Sequence, residues 1–145
     1  MRPARPTAAL LGLLMLAACT SSGSSGPSAS AGPRVPAESD FTAGTCASLA
    51  PDVIAIGKDI PRLGSGGDVD QEVKDSLRDA QDRIFAVAQA AEPEVKPALD
   101  DFVIKIGIVR VRADGNSYAT SLGDLLTTAY DGVLAVCTGA TPSPG

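Results

Sequence analysis

The stretch QEVKDSLRDAQDRIFAVAQAA, residues 71–91, places apolar side chains at Val73, Leu77, Ala80, Ile84, Val87 and Ala91. The steps between them alternate 4, 3, 4, 3 and 4. At about 3.6 residues per turn such steps collect on one side of a helix, with charged and amide side chains on the others. Three more segments carry the same repeat. The first runs through Cys46, Leu49, Val53, Ile56, Ile60 and Leu63. The third runs through Val95, Leu99, Phe102, Ile106, Val109 and Ala113. The fourth runs through Tyr118, Leu122, Leu125 or Leu126, Ala129, Val133 and Val136.

The punctuation between stripes agrees with helix ends. Gly64-Ser65-Gly66-Gly67 breaks the chain after the first. Asp68 with Gln71 resembles a capping box ahead of the second, and Pro93 suits the first turn of the third. Asp114-Gly115-Asn116 is a turn, and Ser117 is placed to cap the fourth. Short loops between long stripes make neighbours antiparallel, so the reading is all-α: an up-down-up-down four-helix bundle.

Three features pull against it. Pro51 and Pro61 fall inside the first stripe, where each removes a backbone donor; a bend is expected at Pro51 and a loosened last turn at Pro61. Residues 102–112, FVIKIGIVRVR, are rich in β-branched side chains and precede Asp114-Gly115, as a hairpin arm would. The following NSYATSL makes a poor second strand, so helix is preferred. Gly57, Gly107, Gly123 and Gly132 lie within helices, each costing ~1 kcal/mol relative to Ala. They signal either tight packing or close approach to a ligand between helices.

The N-terminus is of another kind. Arg2 and Arg5 precede an apolar run at residues 8–16, and Leu16-Ala17-Ala18-Cys19 closes it. The run is too short to span a bilayer, which takes ~20 residues. The pattern resembles the signal peptide and lipobox of bacterial lipoproteins. The Ala/Gly/Ser/Pro bias that follows is similar to that of small lipoproteins of high-GC bacteria. The resemblance implies cleavage after residue 18, lipid on Cys19 (diacylglycerol on the thiol, with palmitate-type acyl chains), and attachment to the cell membrane on its extracytoplasmic side. Durable attachment takes more than one acyl chain.

Residues 19–39 then form a lipidated Cys and a flexible Ser/Gly/Pro linker without apolar bulk. Residues 40–137 form the helical domain, and 138–145 a short disordered tail. Outside the cytoplasm the remaining thiols, Cys46 and Cys137, are expected to pair. They also test the topology. In an up-down-up-down bundle the start of the first helix and the end of the fourth share one end, which is where these two residues fall.

Composition excludes much chemistry. The chain has no His and no Trp, which removes the commonest general base and zinc ligand. Without Arg2 and Arg5 the formal charge goes from −5 to −7, which opposes binding to nucleic acid. Asp79 with Arg83, Lys96 with Asp100 and Asp101 with Lys105 read as i,i+4 surface pairs. No carboxylate falls on an apolar stripe. No nucleophile motif, phosphate loop, calcium loop or paired metal site is present. No enzyme activity, metal or cofactor is therefore expected.

The third helix carries surplus apolar bulk at Val103, Ile104, Ile108 and Val111. That surplus is the candidate face for a partner or ligand. The expected function is a membrane-tethered, non-catalytic protein-interaction module of the cell envelope. The alternative is a carrier holding a small apolar ligand between the helices.

Overall fold

The computed structural model describes residues 32–63 and 67–139. The signal segment, Cys19, the linker up to residue 31, the break at residues 64–66 and the tail from residue 140 lie outside the described residues. Four α-helices make up the domain: α1 (Thr45–Asp59), α2 (Gln71–Ala88), α3 (Lys96–Asp114) and α4 (Thr120–Thr138). No strand occurs among the described residues. Residues 102–112 are helical throughout: Phe102, Val103, Ile106 and Val109 are buried in the core, and no partner strand occurs among the described residues. α4 runs one residue past Cys137, into the segment read as tail.

The stripes face inward as the repeat requires. Leu49, Val53 and Ile56 of α1, Val73, Leu77 and Ile84 of α2, Leu99, Phe102 and Ile106 of α3, and Leu126 and Val133 of α4 are fully buried. Two stripes drift near their ends. Ala88 takes the buried place read for Val87, and Tyr130, Leu134 and Cys137 take the inner side where Val136 is expected, leaving Val136 exposed. A straight helix has no whole-number repeat, so the inward face creeps around it. Phe102 and Tyr130 meet at the centre, ring centroids 6.2 Å apart.

Neighbouring helices pair their residues in opposite order. Asp52 of α1 accepts from Arg83 of α2 at 2.7 Å, while Arg62, just past α1, reaches Glu72 at the start of α2. Arg78 pairs with Asp114, and Lys96 donates to the Ala88 carbonyl, so α2 and α3 are also antiparallel. Cys46 and Cys137 form a disulfide, with Cα atoms 5.2 Å apart, that ties the first turn of α1 to the last turn of α4.

The prolines are accommodated locally, and the caps differ from those expected. α1 passes through Pro51 without interruption. The ring is exposed, and Ala47, whose carbonyl loses its helical donor, is exposed too. At Pro61 the chain tightens into a 3-10 turn, Ile60–Leu63. Pro97 sits in the first turn of α3, and Pro93 lies in the turn before it. Asp70 and Ala119, in place of Asp68 and Ser117, stand at the N-caps, without a side-chain capping bond. Ser117 instead helps to close α3: its N–H bonds the Arg112 carbonyl and that of Asn116 bonds Ala113.

Residues 32–39, read as linker from composition, run along the domain. Gly32 lies against the ring of Pro61. The Tyr130 hydroxyl donates to the Arg34 carbonyl at 3.0 Å, and Pro36 is buried. A short 3-10 turn, Glu38–Asp40, leads to buried Phe41, and the Thr42 N–H bonds the Cys137 carbonyl at 2.8 Å. The segment therefore passes from the Pro61 end of the bundle to the disulfide end.

Candidate functional site

The surplus apolar residues of α3 divide into two sets. Val103 is 8% exposed and belongs to the core, so it leaves the candidate face. On the helical wheel it lies beside the inward stripe. Ile104, Ile108 and Val111 are 57%, 39% and 62% exposed. Their spacing of 4 and 3 residues aligns them into a second stripe, on the outer side of the same helix.

This outer stripe borders a shallow groove of about 470 Å³ lined by Gln81, Gly107, Arg110 and Arg112 in addition to the three apolar residues. Gly107 lets the Gln81 side chain lie close over α3. The Gln81 amide of α2 lies where a Cβ would be, its Nε2 2.7 Å from that position, and donates to the Val103 carbonyl at 3.4 Å. One turn beyond Gln81 on α2, Phe85 is also exposed.

The charges around the groove are one-sided. Lys105 is bonded to Asp101 and Arg78 to Asp75 and Asp114. Among the described residues Arg110 and Arg112 have no ion pair, and the buried Nε of Arg110 has no hydrogen-bond acceptor. No described carboxylate lines the groove. Successive residues turn by about 100°, which puts Arg112 on one flank of the stripe and Arg110 on the other, toward α2.

Two carboxylates away from the groove are buried in ion pairs. Asp52 and Asp59 are buried on α1, against the expectation that no acid would enter an apolar stripe. Each bonds an arginine: Asp52 takes Arg83, and Asp59 takes Arg62 at 3.2 Å. Arg83 thus reaches across to α1 and does not bond Asp79. The hydrogen bond to Asp52, then its charge, raises the Arg83 pKa. Sequence spacing along one helix carries no sign of the cross-helix pair of Asp52 with Arg83, whereas Asp59 and Arg62 are only three residues apart. Lys96 with Asp100 and Lys105 with Asp101 pair as the spacing predicts.

Among the described residues no three His, Cys, Asp or Glu side chains are grouped to hold a metal ion. No described helix is long and apolar enough to cross a membrane. No family model matches the chain, and comparison with the curated proteins and with the solved structures gives no match.

Proposed function

We propose that this chain is a lipid-anchored, extracytoplasmic interaction module of the cell envelope, without catalytic activity. The observation that carries the reading is the outer stripe of Ile104, Ile108 and Val111. A domain that buries its inward stripes this completely still leaves a second, aligned apolar stripe on α3 uncovered. Contiguous apolar surface of this kind costs solubility and marks contact sites. The address comes from the Leu16-Ala17-Ala18-Cys19 motif. An extracytoplasmic compartment also suits the pairing of Cys46 with Cys137.

Three of the four helix glycines that suggested a carrier are filled over, Gly107 by the Gln81 amide; only Gly132 has nothing within 4 Å. The Tyr130 ring fills the space over Gly57, and the Tyr118 hydroxyl stands over Gly123.

The test is made in intact cells. Cys19→Ala is expected to release the protein from the membrane fraction, and retention of a processed chain would defeat the address. With the anchor intact, Ile104→Glu, Ile108→Glu and Val111→Glu together are expected to remove the cross-linked species that contain the protein. These positions are exposed, so the amount of folded protein should not change. Cross-linking that is indifferent to all three charges would sink the role of this face.

A further inference from the structure

We infer that the α3 face receives an acidic amphipathic helix of another envelope protein, whose apolar stripe is flanked by carboxylates. This deepens the interaction-module reading and rests on it.

The face is complementary in charge to such a helix. The chain as a whole is acidic, with 17 Asp and Glu against 12 Lys and Arg. The groove reverses this, with two arginines and no acid in its described lining. Within the helical bundle the other arginines meet the chain's own carboxylates: Arg62, Arg78 and Arg83 are all paired. Among the described residues nothing pairs with Arg110 and Arg112, on either side of an exposed apolar stripe. A guanidinium offers a fork of donors that carboxylates meet in bidentate fashion. An occupant that covers the stripe and also supplies acids on both flanks would meet both unpaired guanidinium groups.

A second copy of this chain fits only in part. Set antiparallel about residue 106, it would bring Arg112 near Asp100, an acid already held by Lys96, and its groove lining offers no acid to Arg110. A helix fits better than a strand, because the face is a groove between α2 and α3 with anchors at i, i+4 and i+7, and it presents no sheet edge.

A photo-reactive benzoylphenylalanine placed at Ile104 or at Val111 of the full chain, in cells that export it, tests this. Controls carry the same group at Ala47 on α1 and at Leu125 on α4, both exposed. The expected adducts form at the α3 positions, and the linked peptide has apolar residues at helical spacing flanked by Asp or Glu. Arg112→Glu is expected to lower the yield about tenfold, the loss of one interfacial charge contact. Arg110→Lys with Arg112→Lys, which keeps the charge and loses the fork, is expected to give a yield between those of the native chain and of Arg112→Glu. Because Arg112 is exposed, its reversal leaves the fold intact, which a melting curve verifies.

Adducts only with lipid, only with a second copy, or with a peptide lacking acids would overturn the inference, as would a yield indifferent to Arg112→Glu. Protein adducts at Ala47 or Leu125 but not on α3 would overturn it while leaving the module reading intact. Adducts at no position would remove both.

Discussion

Gly57 and Gly107 look alike in the sequence, and their neighbours separate them. A Cβ on Gly57 would lie 2.3 Å from the Tyr130 hydroxyl oxygen and 2.7 Å from the ring carbon that bears it. That ring is fully buried, packed near Phe102 and tied to the Arg34 carbonyl, so it has no room to yield. Gly57→Ala is expected to destabilise the domain by about 1–3 kcal/mol, overpacking outweighing the gain in helix propensity. Gly107→Ala meets only the far end of Gln81. It is expected to be neutral or to stabilise by up to ~1 kcal/mol. Urea unfolding of the two variants side by side distinguishes the cases. Tyr130 also gives the fold an alkaline limit. Burial, then the charge of Asp131, pushes its pKa from 10.0 to about 12, with Arg34 opposing. The folded state holds the phenolic proton more tightly than the unfolded chain does. The contribution is complete below pH ~10 and is lost as pH rises from there toward 12. Melting temperatures measured across that range are expected to fall, and those of Tyr130→Phe to fall less steeply. A curve for Tyr130→Phe as steep as that of the native chain would assign the limit to other groups.

At the level of elements, periodicity is a reliable guide to direction and a poor one to ends. The repeat of α1 from Cys46 to Leu63 is buried at every position, because each of its sides meets a single environment along its length. Caps are less legible. The candidate residues Asp68 and Ser117 each lie two residues ahead of the actual N-caps, and chain geometry alone decides which residue turns first. The end of α3 is the clearest case. Asn116 takes a positive φ of 49° and closes the paired bonds to Ala113 and Arg112. Such a position favours glycine, which has no Cβ to strain. Asn116→Gly is expected to stabilise by a few tenths to ~1 kcal/mol, read as a small rise in the urea midpoint with unchanged slope. A fall in the midpoint would mean that the asparagine side chain makes a contact worth more than the relieved strain.

For the molecule as a whole, the seam between α1 and α4 is the point of dependence. These two helices approach each other much less closely than the other adjacent pairs do. The disulfide closes one end, Tyr130 fills the middle, and residues 32–41 lie across the junction. Cys46→Ser with Cys137→Ser releases a loop of 91 residue steps. By chain entropy that is worth ~4–5 kcal/mol before any change in the native state. The melting temperature is expected to drop by roughly ten degrees or more; an unchanged transition would mean that the strap and Tyr130 hold the seam without the bridge.

The sequence by itself determined that four helices form, which side of each turns inward, and that its two late cysteines belong at one end. Those properties are local or follow from chain order: a 3-4 repeat defines a direction around a helix axis wherever the helix is placed. Only the tertiary structure decided that Val103 is core while Ile104, one residue on, is surface. It alone decided that Asp52 is buried against Arg83, and that residues 32–39 belong to the domain. Each of these is a relation between residues remote in the chain. An apolar side chain is covered only if another element comes to lie over it, and no pattern within its own helix records whether one does.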